Sequence, residues 1–279
     1  MISALHLLIT YQCTRECPHC FVWAGPVGPT MTAGQITESI EAAVAAGVKK
    51  IAFEGGEPFL HYPILAHGVR LAQERGLGAT AVTNGFWAVS ETDARRWLTP
   101  LAELGPLGLA ISTDEYHGGS EEARRADVAA RAARQMGIEP MIFRTAAENV
   151  MFRGRAAHQL TGSATRSDPA EFTTCPHESL LEPERIHMDA EGFLHLCQGL
   201  CPGRAGDGDL RDLLDRKNLE RHPIVGPLAS GGPAALVDAF DLNLEGTYAD
   251  ACHLCYRARE ALRPRFPEYL GPDRVYGVF

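Results

Sequence analysis

Eight cysteines carry most of the chemistry that this sequence can offer. Cys13-Thr-Arg-Glu-Cys17-Pro-His-Cys20 puts three thiols within eight residues, directly after the first apolar run. Three thiolates in one loop can hold three corners of an iron–sulfur cube and leave the fourth iron open to a small molecule. Structural zinc is the competing use. It asks for four closed ligands, and the local candidate for a fourth, His19, is crowded between Cys17 and Cys20. The remaining thiols are Cys175, Cys197, Cys201, Cys252 and Cys255. Gly192-x4-Cys197 reads as a hairpin exit and Cys252-His-Leu-Cys255 as a knuckle. By spacing alone this group suits a tetrathiolate zinc site as well as an iron–sulfur cluster. Gly55-Gly56-Glu57-Pro58 lets the backbone approach a ligand closely, and an ordinary Gly-Gly turn has the same composition.

The chain has 279 residues, 26 basic and 35 acidic, for a net charge of −9; it is 45% hydrophobic and 22% charged. These values exclude a disordered or collagen-like chain. The acidic balance counts against a nucleic-acid partner. No apolar run reaches the roughly 18 residues of a membrane span, so no membrane partner is expected. The start, Met1-Ile2-Ser3-Ala4, lacks the basic region of a secretory signal. The cysteines are therefore expected to act as metal ligands or redox groups in a reducing cytoplasm rather than as disulfides.

The elements that must position these residues alternate. Apolar runs at Ala4–Tyr11, Val48–Glu54, Leu77–Thr83, Leu107–Thr113 and Glu139–Arg144 read as strands. Helices lie between them. One is opened by a capping box at Thr32 and Gln35 and closed by Gly47, one follows Pro63, one starts at Ser90 and Asp93, and one starts at Ser120. Such alternation predicts a parallel sheet with binding loops at the carboxyl ends of the strands. After residue 160 the pattern breaks. Thr161–Asp168 reads as a linker, and Ile186–Leu196 as a hairpin turning at Asp189–Gly192.

With the cysteine loop and Gly-Gly turn at strand ends, the sequence resembles the radical S-adenosylmethionine (radical SAM) superfamily. Its Cys-x3-Cys-x-aromatic-Cys signature is carried by Cys13, Cys17, His19 and Cys20. The resemblance implies a 4Fe–4S cluster on Cys13, Cys17 and Cys20, SAM on the open iron, and His19 near the adenine. Gly55, Gly56, Glu57 and Pro58 match the family's GGEP motif and would meet the SAM ammonium. Ser112 and Arg144, at the ends of the fourth and fifth strands, would hold its carboxylate. Asn84 and Asp114 are further cofactor-side contacts. Gly154-Arg155-Ala156 is similar to a segment common in the superfamily, with no role derivable from sequence. The later cysteines resemble the twitch domain, a shortened SPASM domain. That implies an auxiliary 4Fe–4S cluster on Cys175, Cys197, Cys252 and Cys255, with Cys201 as a substitute for Cys197. The expected fold is α/β. It is a partial (β/α) barrel of five or six parallel strands over 1–160, with a small twitch/SPASM-like domain of hairpin plus helix over 161–279.

The resemblance implies an enzyme that cleaves SAM to a 5′-deoxyadenosyl radical and abstracts a substrate hydrogen atom. The four-cysteine twitch layout and short length resemble the superfamily's aminocyclitol dehydrogenases. The leading expectation is therefore oxidation of a small natural-product intermediate, with the auxiliary cluster as electron acceptor. The second is a peptide maturase that epimerises or cross-links, with the leftover Cys201 as hydrogen donor. The first strand begins at the N-terminus, so no N-terminal peptide-recognition domain is expected, which counts against it. The third is a non-enzymatic metal-binding redox sensor. A flavodoxin-type or other electron donor is an implied partner.

Overall fold

The structure, a computed structural model, describes residues 2–279. Along the chain come β1 (Ala4–Thr10), α1 (Ala33–Ala46), β2 (Lys50–Gly55), α2 (Tyr62–Glu74), β3 (Gly78–Thr83), α3 (Glu91–Ala102), β4 (Leu107–Ser112), α4 (Ser120–Gln135), β5 (Pro140–Phe143) and α5 (Ala156–Gln159). They are followed by β6 (Arg185–Asp189), β7 (Phe193–His195), β8 (Gly203–Arg204), α6 (Leu210–Leu213), α7 (Arg216–Arg221), α8 (Val225–Ala239) and α9 (Ala251–Leu262). One sheet holds all eight strands in the order β5-β4-β3-β2-β1-β6-β7-β8. The six strands from β5 to β6 are parallel, and β7 and β8 continue antiparallel. The fold is thus α/β, with an open sheet that forms a partial barrel.

Local sequence explains the alternation. Thr32 accepts from the Gln35 amide, Gln35 reaches back to Thr32, and Gly47 takes the left-handed exit, which together bound α1. Ser90 caps α3 through the Asp93 amide. Leu5, Leu7 and Ile9 of β1 and Ile36, Ile40 and Ala43 of α1 are all fully buried in one core, as period 2 against period 3.6 requires. Gly68 of α2 sits against Phe53, so that strand face meets helices, and the next residue, Glu54, turns to the inner face.

Two departures from the sequence reading concern the second half. The hairpin forms as expected, but β6 also pairs in parallel with β1, so the sheet runs across the expected division at residue 160. The Cys252–Cys255 knuckle is the opening of helix α9, capped by Asp250. Among the described residues, no helix is long and apolar enough to cross a membrane.

The site end of the sheet is fixed by a close crossing of β2 over the exit of β1. Gly56 donates to the Thr10 carbonyl at 2.7 Å and Glu57 to the Gln12 carbonyl at 2.7 Å. A Cβ on Gly56 would lie 2.1 Å from the Gln12 oxygen, whereas one on Gly76, also a turn glycine, meets nothing within 4 Å. Gly56→Ala is therefore expected to cost about 3 kcal/mol in urea unfolding. Gly76→Ala, whose penalty is only its positive φ, should cost about 1 kcal/mol. Equal losses would contradict this account of the crossing.

Candidate functional site

The cysteine loop has no regular structure of its own, so its shape comes from what its backbone meets. Cys13 donates to the Gly25 carbonyl at 2.7 Å, and Cys20 to that of Cys17 at 3.1 Å. Buried Arg155 does the rest. Its amide donates to the Cys20 carbonyl at 2.9 Å, and its guanidinium to the carbonyls of Cys17 at 2.8 Å and Ala24 at 2.7 Å. The preceding Gly154 has φ +59°, and a Cβ there would lie 2.5 Å from the Cys20 oxygen. Cys13, Cys17 and Cys20 line one cavity of about 570 Å³, counting its open mouth. Burial pushes the Cys17 thiol up to about 12 and the Cys13 thiol up to about 11. Crowded, half-buried thiols of this kind suit a metal cluster, which takes them as thiolates.

Strand ends supply the other walls. Of the residues singled out in the sequence, His19, Gly55, Gly56, Asn84 and Ser112 line this cavity. His19 has a buried Nδ1 with no partner among the described residues, a polar atom that a bound ligand would satisfy. Burial and the nearby His117 lower its pKa to about 4. The Asn84 side-chain Nδ2 donates to Thr14 Oγ1 at 3.2 Å and lies 3.6 Å from Cys13 Sγ. Glu57 does not line the cavity. Fully buried, its carboxylate accepts from the Asn84 amide at 2.7 Å, Thr83 Oγ1 at 2.9 Å and the Phe59 amide at 3.1 Å. It thereby ties the end of β3 to the β2 crossing, and Pro58 opens the buried turn behind it.

Besides Glu57 and Pro58, three further expected residues stand outside this cavity. Asp114 is consumed as a cap. It accepts from the Tyr116, His117 and Thr145 amides and pairs with His117 Nδ1 at 2.8 Å, so its carboxylate holds the β4 and β5 ends together. Arg144, one residue past the end of β5, is exposed and does not line the cavity. Cys201 is 0% exposed, 3.3 Å from both His195 Nδ1 and the Gly271 carbonyl, and lines neither cysteine cavity.

Other residues escaped the sequence reading. Arg15 lines the cavity and donates to the carbonyls of Asn84, at 3.2 Å, and His117. His117, which the sequence reading placed in a strand-end segment, Asp114–His117, able to reach substrate or to form a solvated loop, lines it too, with its ring 4.7 Å from that of His19. On the inner face of the sheet, Glu54 is 3.1 Å from His6 Nδ1 and 2.7 Å from His187 Nδ1. Burial pushes the Glu54 carboxyl up, but the two imidazoles outweigh it and hold it well below the usual range. A polar residue inside an apolar strand, His6 in ALHLLIT, was the signal available for this group.

Cys175, Cys197, Cys252 and Cys255 line a second cavity. Cys252 and Cys255 come from successive positions on one face of α9, Cys197 from the exit of β7, and Cys175 from the segment before β6. Burial raises the Cys252 and Cys255 thiols, the latter to about 11. Arg153 and Arg259 line the same cavity, 6% and 1% exposed, each with a buried Nε that has no partner among the described residues. Four thiols and two buried guanidinium groups, each with an unpartnered Nε among the described residues, fit an anionic metal–thiolate centre.

Comparison with known proteins follows this geometry. Residues 7–155, more than half of the chain, match the family described as Radical SAM superfamily. YydG of Bacillus subtilis (strain 168), named for peptide biosynthesis, is 32% identical over 108 residues, which is 38% of this chain and 34% of that protein. GTP 3′,8-cyclase of Lactiplantibacillus plantarum is 30% identical over 117 residues, 40% of this chain and 33% of that enzyme. The match thus spans about a third of the length of these curated relatives. Among solved structures, BtrN in complex with AdoMet and 2-DOIA shares the fold at TM-score 0.55 and 17% identity, covering 78% of this chain and 84% of that one. Native anSMEcpe with bound AdoMet and the Cp18Cys peptide shares it at TM-score 0.51 and 14% identity, covering 95% and 97%.

Glu57 makes the site's framework sensitive to pH. Burial outweighs its three donors and raises its carboxyl from 4.5 to about 7. A raised carboxyl binds its proton more tightly when folded, so its contribution to stability is full below pH 4.5 and is lost as pH rises to about 7. Glu57→Gln should flatten that part of the stability–pH curve. It should also cost about 2 kcal/mol, because an amide N–H would oppose the Asn84 donor. An unchanged slope in pH-dependent urea unfolding would contradict the assignment.

Proposed function

The chain belongs to the radical SAM superfamily, a family of enzymes, and from that premise we propose that it performs a net oxidation of its substrate, with the four-cysteine site as electron acceptor. Membership excludes the sensor reading. The single observation that carries the oxidative reading is the second cavity, where Cys175, Cys197, Cys252 and Cys255 converge around two buried arginines.

Cys13, Cys17 and Cys20 would hold the first 4Fe–4S cluster. Their cavity contains no fourth cysteine, which leaves one iron to SAM. When bound, the cluster and SAM would supply reducing and radical chemistry able to take a hydrogen atom from the substrate. The chain's part is positioning. Arg155 fixes the cysteine loop, and Glu57 holds the β2 and β3 ends together. His19, with its free Nδ1, is a donor or acceptor for the cofactor's base. Arg15, which lines the cavity, would present a cation to the cofactor's carboxylate. A low-potential one-electron donor of flavodoxin type completes the system, in a reducing compartment such as the cytoplasm.

The substrate class has two readings. A small polar molecule accords with the BtrN-like layout. A peptide is favoured by the similarity to YydG, at 32% identity. In either case Cys201 argues against epimerisation. Its thiol is fully buried and bonded to protein partners, so it is not offered to a substrate radical.

Reconstituted, reduced protein is expected to form 5′-deoxyadenosine from SAM, and Cys17→Ala to abolish it. Wild-type yield no higher than that of the variant would overturn the radical reading. In heavy water, the product should be two-electron oxidised and free of solvent deuterium. Cys201→Ala should keep at least half of the 5′-deoxyadenosine yield. Solvent deuterium in the product that disappears in Cys201→Ala would instead establish epimerisation.

A further inference from the structure

Arg153-Gly154-Arg155 runs between the two cysteine sites. Arg155 holds the first loop through the Cys17, Cys20 and Ala24 carbonyls. Two residues earlier, Arg153 faces the second site. Its Nη1 donates to Cys197 Sγ at 2.9 Å, and its guanidinium lies 4.1 Å from the ring of Phe21, the neighbour of Cys20. From the far side comes Arg259 of α9. It donates to the Gln198 carbonyl at 2.8 Å and lies beside Cys255, the thiol one turn earlier.

Countercharge for these cations is sparse. Arg153 is 3.6 Å from Glu178, which also serves Arg185 at 3.0 Å. Arg259 makes no ion pair with a carboxylate among the described residues, and both Nε atoms are buried without partners. A guanidinium cannot shed its proton to escape burial. Two such groups are stable against one cavity only if the cavity holds negative charge.

We propose that Arg153 and Arg259 set the charge of the four-cysteine site and hold its cluster at a potential where it accepts an electron from the substrate radical. The inference rests on the reading of this site as an iron–sulfur ligand set. A four-thiolate cluster gains one negative charge on reduction, and fixed cations and N–H···S contacts favour the more negative state. The balance closes. The substrate loses a hydrogen atom to the 5′-deoxyadenosyl radical, then one electron to the oxidised cluster and one proton to solvent, forming the two-electron-oxidised product. Neither arginine touches the reacting atoms, so both are positioning residues for charge.

The test is a redox titration of the reconstituted protein carrying both clusters, followed by electron paramagnetic resonance with and without SAM. The signal that SAM leaves unchanged belongs to the four-cysteine site. Arg153→Gln and Arg259→Gln keep an N–H donor but lose the charge. Each should lower the equilibrium constant for reduction at least tenfold, about 59 mV for a one-electron couple. Arg153→Lys and Arg259→Lys should stay within about threefold of wild type. Gln variants with full iron content and an unmoved midpoint overturn the inference alone. So does a Lys variant that keeps its cluster yet shifts by tenfold, which also covers the case of Gln variants that fail to fold. Zinc in the wild-type site, or one cluster only, overturns the underlying reading and the inference with it.

Discussion

A loop of thiols has no backbone pattern to hold it, and here its shape depends on Arg155. One buried guanidinium and one amide take the carbonyls of Cys17, Cys20 and Ala24, three acceptors that no helix or strand would otherwise satisfy. The contact requires Gly154, because any side chain there would strike the Cys20 carbonyl. The Gly56 crossing anchors the start of the same loop to β2. These two close approaches of backbone to backbone set where Cys13, Cys17 and Cys20 stand relative to the strand ends.

Charge is the second organising theme. The chain is acidic overall, yet cations converge on its cysteines: Arg15 and Arg155 at the first loop, Arg153 and Arg259 at the second cavity. Carboxylates near the first site are consumed in framework bonds. Glu57 ties two strand ends, Asp114 ties two more, and Glu54 sits between two imidazoles. The ionisable groups left lining the first cavity are therefore thiols, imidazoles and the Arg15 guanidinium, a set suited to an anionic metal centre and to a ligand carrying a carboxylate.

Much of this was legible in the sequence, and the limits have physical reasons. The first cysteine loop could be read because its donors are contiguous and follow a buried strand. The parallel order could be read from strand–helix alternation. The hairpin turn was marked by Asp189-Ala-Glu-Gly192, but its pairing with β1 was not, because long-range register leaves no local pattern. Cys252-x2-Cys255 fits a knuckle and a helix turn equally well, and the Asp250 cap decides for the helix. Asp114 stands where a motif would want it, yet its carboxylate answers to amides and an imidazole that the sequence does not show, while the Arg144 side chain is exposed. Arg153, Arg155 and Arg259 read as ordinary basic residues until the fold buries them. The Gly-Arg-Ala segment, without a role in the sequence, holds the first cysteine loop, and Arg153, the residue just before it, reaches the second site.

The central claim is that three cysteines hold a cluster whose open iron takes SAM. The most direct measurement is electron–nuclear double resonance on the reduced, reconstituted protein with SAM labelled by 15N at its amino group and 17O at its carboxylate. The account predicts hyperfine coupling of both labels to a cluster, absent in Cys17→Ala. A fully loaded cluster with no coupling to either label would contradict it.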